Sequence, residues 1–264
     1  MASGSGAALT GLVLGILMAL ATMDGVDTTA SAGDTTASGG DTSADATTGS
    51  DSAGGTVDST ELGLNVPGVI RTTGRSGQNV ALTFSSGPDP QYTPPILQIL
   101  DAQGVTATFC ILGSQAEKYP ELVRQIAAGG HVLCNHTLSY DYDLASRDDA
   151  TQRAEIGGGL AAIRAAEPAA AVPFFRAPGG NFSPELVAVA AESDMASLGW
   201  SVDPKDWTTP GAPAIETAVV SAVQPGSIVV LHDEGPNRGG TVDALDEIID
   251  ALQAEGYQFV TPAS

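Results

Sequence analysis

Five short stretches carry the side chains able to do chemistry. Ser85 and Ser86 close the apolar run that begins at Val80, His136 follows the run His131–Asn135, and Arg176 ends Pro173–Arg176. Asp203 and Asp206 follow Ala196–Val202, and His232 ends Ser227–His232. Hydroxyl, imidazole and carboxylate together are the parts of a nucleophilic Ser–His–Asp apparatus, which needs hydroxyl and imidazole within hydrogen-bond reach. No GxSxG elbow surrounds either serine. Zinc-assisted hydrolysis asks for something else: three protein ligands with an open position, and a carboxylate to take the proton of the attacking water.

These groups must be positioned by strands. The candidate strands are Val80–Phe84, Val105–Ile111, His131–Asn135, Pro173–Arg176, Ala196–Val202, Ser227–His232 and Tyr257–Thr261. Most are continuously apolar, as parallel strands covered on both faces should be. Helix starts are predicted at Thr93 before Pro94, at a capping box of Ser114 with Glu117, and at Ser183 before Pro184; Gly104, Gly129 and Gly256 mark stops. This alternation predicts a parallel α/β domain, an open doubly wound sheet or a barrel. Every reactive side chain falls at a C-terminal strand end. An open sheet gathers ligand groups at one switch point, whereas a barrel collects them on one rim, so a barrel of seven or eight strands fits better. His131 opens its strand at the opposite end and is read as structural.

The ordered set resembles the polysaccharide deacetylases, the NodB-homology family also called carbohydrate esterase family 4, from about Asn79 to Pro262. That resemblance implies a distorted (β/α) barrel, a divalent metal, often zinc, and removal of acetyl groups from chitin oligomers, peptidoglycan or acetylxylan. The family's first motif, Thr-Phe-Asp-Asp-Gly-Pro, supplies the general base and then a metal ligand; here it stands as Thr83-Phe84-Ser85-Ser86-Gly87-Pro88. The second, His-Ser/Thr-x-x-His, supplies two metal ligands and stands as His136-Thr137-Leu138-Ser139-Tyr140. The third is Arg176-Ala177-Pro178-Gly179-Gly180, whose Arg orients the base. In the fourth, Asp203-Pro204-Lys205-Asp206-Trp207, Asp206 pairs with the catalytic acid, and in the fifth, Val229-Val230-Leu231-His232-Asp233, His232 is that acid. The resemblance assigns Trp200, Trp207, Pro178, Gly179 and Val230 to the substrate groove.

By this resemblance His136 is the one good metal ligand, with Ser86 and Tyr140 at the other two ligand positions and Ser85 at the base position. A tyrosine phenol has a reference pKa of about 10, and a serine hydroxyl is a poor base near neutral pH. The loss of a partner that merely orients a ligand typically lowers affinity or activity roughly 10–100-fold, so two replaced ligands should weaken the metal far more. Asp89 and Asp141 are nearby carboxylates at unexpected spacings. Three readings follow: a glycan-binding protein with metal-dependent hydrolysis weakened or lost, an active deacetylase with non-standard ligands, and a tethered interaction domain.

The rest of the chain bears on location. Residues 1–24 contain an apolar run from Ala7 to Met23, read as a signal peptide with Ala19-Leu20-Ala21 at its cleavage site, or as an N-terminal membrane anchor. Residues 25–61 are a disordered acidic linker of Gly, Ser, Thr, Ala and Asp, and residues 62–264 form the folded domain. The protein is therefore expected to be secreted or held at the cell surface as a monomer, meeting membrane only through its N-terminal segment. With 31 acidic against 10 basic residues, a net charge of −21 excludes nucleic acid as a partner. Cys110 and Cys134 lie in neighbouring predicted strands, which in an exported protein points to a disulfide, the alternative being two buried thiols.

Overall fold

A computed structural model describes residues 66–263. The segments predicted as signal or anchor and as linker lie outside the described residues. Within them, no helix is long and apolar enough to cross a membrane.

Among the described residues there are eight strands: β1 (Val69–Ile70), β2 (Asn79–Ser85), β3 (Thr108–Ile111), β4 (Val132–Asn135), β5 (Phe174–Phe175), β6 (Ala196–Leu198), β7 (Ser227–His232) and β8 (Gln258–Phe259). All pairings between them are parallel, in the order β1-β6-β5-β4-β3-β2-β7, with β8 against the start of β2. The seven ordered strands curl into a half-barrel, and the seam between β6 and β7 is bridged by a single parallel pair, Val202 with Val229. This is the distorted barrel that the strand-end chemistry predicts. The two-residue β1 is too short to leave a periodic signal.

Helices α1 (Thr93–Ala102), α2 (Gly113–Lys118), α3 (Pro120–Ala128), α4 (Asp149–Ala166), α5 (Pro184–Ala191), α6 (Ala212–Ala222) and α7 (Gly239–Ala254) connect the strands. Ser183 caps α5 by accepting from the Leu186 N–H, as its position predicts. Helix α1 begins at Thr93, as predicted, with Asp89 accepting from the Gln91 and Tyr92 N–H groups just ahead of it. The Ser114/Glu117 box is not formed, because the carbonyls of Thr137 and Leu138 take the N–H groups of Gly113 and Ser114.

Side-chain alternation divides the core in two. Val80, Leu82, Phe84, Phe109, Ile111, Leu133, Phe175, Val229 and Leu231 face outward and pack with helix residues such as Ile96, Ile126, Ile163 and Ile248. Each such buried side chain contributes about 1.5–3 kcal/mol. Ala81, Cys110, Cys134, Phe174, Leu198 and Ile228 form a separate inner cluster. Both strand faces are covered, which explains the unbroken apolar runs. Cys110 and Cys134 are register partners on β3 and β4 and are joined by a disulfide on the inner face.

Candidate active site at the barrel mouth

The inner series, continued by two or four residues, places the chemistry. From Ala81 it reaches Thr83 and Ser85, from Cys134 His136, from Phe174 Arg176, from Leu198 Trp200, and from Ile228 Val230 and His232. Among these, Ser85, His136, Arg176, Trp200, Val230 and His232 line one pocket of about 500 Å³. Ser86, Tyr140, Gly179 and Trp207 line it from the connecting loops. Pro178 is buried in the turn behind Gly179 and does not line it. His131 lies at the other end of β4, where its Nδ1 accepts from the Ala107 N–H.

Arg176 is the largest fully buried side chain, 1% exposed. Its Nη1 donates to Ser85 Oγ (2.9 Å), its Nε to the Leu198 carbonyl (3.1 Å) and its Nη2 to the Gly199 carbonyl (3.3 Å). The Trp200 ring lies 5.4 Å from the guanidinium carbon. Every partner is neutral, and burial lowers the guanidinium pKa to about 9.

His136 is also buried. Its Nδ1 lies 2.8 Å from the Arg176 carbonyl and so carries the proton, leaving Nε2 with a free lone pair. Burial outweighs that hydrogen bond, and the Arg176 and His232 charges add to it, so the pKa falls to about 3 and the ring is neutral at physiological pH. Tyr140 meets His136 edge-on at 5.2 Å from a left-handed backbone (φ 62°). Burial raises its phenol pKa, partly offset by a backbone hydrogen bond from Gly179.

On the opposite wall, His232 Nδ1 lies 2.7 Å from Asp206 Oδ1, and the His232 N–H donates to Oδ2 (2.9 Å). The Thr241 hydroxyl also donates to Oδ2 (2.8 Å), and Arg238 Nη1 donates to the Asp206 carbonyl (3.1 Å). Oriented in this way, His232 can pass a proton through Nε2. Neither serine hydroxyl bonds His232: Ser85 Oγ is held by Arg176, and Ser86 Oγ has no hydrogen-bond partner among the described residues. The Ser–His–Asp relay is therefore not assembled.

The donors around His136 do not make a metal cage. One imidazole shares the pocket with a serine hydroxyl and a phenol that stays protonated, and among the described residues no three His, Cys, Asp or Glu side chains converge to hold an ion. The two carboxylates singled out in the sequence are engaged elsewhere: Asp141 pairs with Arg147, and Asp89 holds the turn into α1.

Four contributors escape the sequence reading. Tyr142, 57% exposed, lines the pocket and lies over Gly179, where any Cβ would collide with its ring. Arg238 and Thr241 anchor Asp206, and Asp233 braces the serine loop from below. All sit on loops or at helix starts, where no periodicity marks them.

Comparison with known proteins fits this geometry. The polysaccharide deacetylase family model matches residues 73–198. A chitooligosaccharide deacetylase of Sinorhizobium fredii is 39% identical over 202 residues, covering 71% of this chain and 93% of its own. This chain belongs to the polysaccharide deacetylase family. In structure it is similar to the Bc1960 peptidoglycan N-acetylglucosamine deacetylase, with a TM-score of 0.70 and 36% identity over 74% of this chain and 90% of that one. It is also similar to BA3943, described as a CE4 family pseudoenzyme from Bacillus anthracis, with a TM-score of 0.68 and 26% identity over 74% and 68% of the two chains. A mutant of that pseudoenzyme, described as having restored enzymatic activity, superposes equally well.

Proposed function

We propose that this protein is an exported deacetylase-family domain that holds acetylated glycan at the barrel mouth while its metal-dependent hydrolysis is weakened or lost. The observation that carries this reading is the donor set at His136: a neutral imidazole beside Ser86 and Tyr140, with Ser85 and not a carboxylate against Arg176. Family chemistry calls for a divalent ion to polarise an acetyl carbonyl and activate water, and His136, Ser86 and Tyr140 stand here at the positions of its ligands. Two hydroxyl donors of high pKa are poor replacements for anionic or imidazole ligands. The pair of His232 and Asp206 can still deliver a proton, and Trp207, 52% exposed beside the pocket, offers a face on which a sugar ring can stack. The substrate class follows from the relatives: peptidoglycan, chitin oligomers or another acetylated polysaccharide. The domain acts as a monomer, secreted or tethered outside the cell.

The test compares the chain with its Ser85→Asp/Ser86→Asp/Tyr140→His variant. Zinc content after dialysis and acetate release from N-acetylglucosamine oligomers should rise together, from substoichiometric metal and background release to one zinc per chain and at least a hundredfold more product. Stoichiometric zinc and turnover in the unaltered chain would overturn the proposal and favour an active enzyme with unusual ligands.

A further inference from the structure

A buried guanidinium with no anion beside it is an unfinished site. We infer that the pocket floor binds a carboxylate of acetate size, seated on the hydroxyls of Ser85 and Ser86 above the Arg176 guanidinium. Among the described residues Arg176 forms no ion pair, and its acceptors are one hydroxyl and two carbonyls. Removing an ion from water without a counter-charge is strongly unfavourable, and a ligand anion entering the same low-dielectric space offsets that penalty.

The donors for such a ligand are in place. A guanidinium has five N–H groups, and three hydrogen bonds account for Arg176, so two N–H groups remain. Ser85 Oγ accepts from Arg176, which leaves its own proton to donate elsewhere. Ser86 is 8% exposed and borders the pocket, and its Oγ has no hydrogen-bond partner among the described residues. Two hydroxyl donors backed by a cation form a charge-assisted anion seat.

The surroundings limit what fits. His136 Nε2 presents a lone pair, so the carboxylate belongs on the serine side, and a hydroxyl or amide N–H of the same ligand would satisfy His136. Asp203 and Glu234 stand at the pocket rim and repel polyanions, so the occupant is a single carboxylate, either free or borne on a sugar. This inference stands independently of whether hydrolysis or neutral-glycan binding survives.

The experiment uses the full chain with chelator present, titrated with sodium acetate, formate and chloride at constant ionic strength, read by calorimetry and by thermal unfolding. Acetate should bind saturably and at least tenfold more tightly than chloride. Ser85→Asp supplies an internal carboxylate to Arg176 and should weaken acetate at least tenfold, while Ser86→Ala, which leaves the Arg176 contact intact, should weaken it several-fold. N-acetylmuramic acid binding more tightly than acetate would identify a sugar-borne carboxylate; equal or weaker binding would identify a free one. Acetate no tighter than chloride, or undiminished acetate binding in both variants, overturns the inference. Failure of neutral chitin oligomers to bind would count against the glycan reading alone.

Discussion

Asp233 is sealed beneath the serine loop, 1% exposed, accepting from the Gly87 N–H (3.1 Å) and the Thr93 hydroxyl (2.7 Å). Gly87 is required there, because any Cβ would collide with the carboxyl group. Burial raises the Asp233 pKa to about 7, against the lowering effect of its hydrogen bonds and of His232. Unfolded, the group ionises near pH 4; folded, it keeps its proton until about pH 7, so across that window the native state binds more protons. Its contribution to stability is present in full below pH 4 and is lost as pH rises to 7, by up to roughly 4 kcal/mol. Asp233→Asn is neutral at every pH and should remove this dependence. Urea unfolding from pH 4 to 8 should show the stability of the unaltered protein falling relative to the variant; parallel curves would mean that Asp233 ionises without penalty. The sequence displays Asp233 next to His232, yet nothing in it says that the side chain turns under the loop while its neighbour turns into the pocket. By contrast Ser85, His136, Arg176 and His232 were legible, because each ends an inward-facing series of alternate residues.

At the scale of elements, apolar runs located seven strands, six of them with both faces covered and β8 partly exposed at Gln258, and helix ends were readable where a single residue decides them, as at Ser183. The start of α1 at Thr93 was legible, whereas the missing Ser114/Glu117 box at α2 has a tertiary cause: the Gly113 and Ser114 N–H groups are met by carbonyls after β4, partners invisible to a local rule. The Cys110–Cys134 bridge links register partners 24 residues apart, on strands separated only by α2 and α3. A closed loop of that length constrains the unfolded chain by about 3 kcal/mol. The double variant Cys110→Ala/Cys134→Ala should therefore unfold roughly 6–12 °C lower in calorimetry, given the usual scaling for domains of this size. Its far-ultraviolet circular dichroism should be unchanged, because the inner cluster keeps Phe174, Leu198 and Ile228. An unchanged midpoint would show that the strand ladder alone holds β3 to β4.

At the scale of the whole molecule, barrel closure was the least legible feature, because the seam has almost no ladder to announce it. Between β6 and β7 the backbone is joined by Val230 N–H to the Val202 carbonyl and by the Ser201 and Val202 N–H groups to the Ile228 carbonyl. Above these, Asp206 on the β6 side takes both the backbone N–H and the ring of His232 on β7, together with the Thr241 hydroxyl at the start of α7. The pair thus closes the mouth mechanically as well as fixing the His232 imidazole. Asp206→Ala would strand three donors in a buried setting, at about 1–3 kcal/mol each before relaxation. Global stability should fall by about 3 kcal/mol, and amide exchange at Val202 and Val230 should accelerate more than at Leu82, which lies inside the continuous ladder between β2 and β7. Asp206→Asn, which retains one acceptor for the His232 N–H, should recover part of both losses. Uniform acceleration across all strands, or no change at the seam, would show that Asp206 serves the imidazole alone and that closure rests on the backbone bridges.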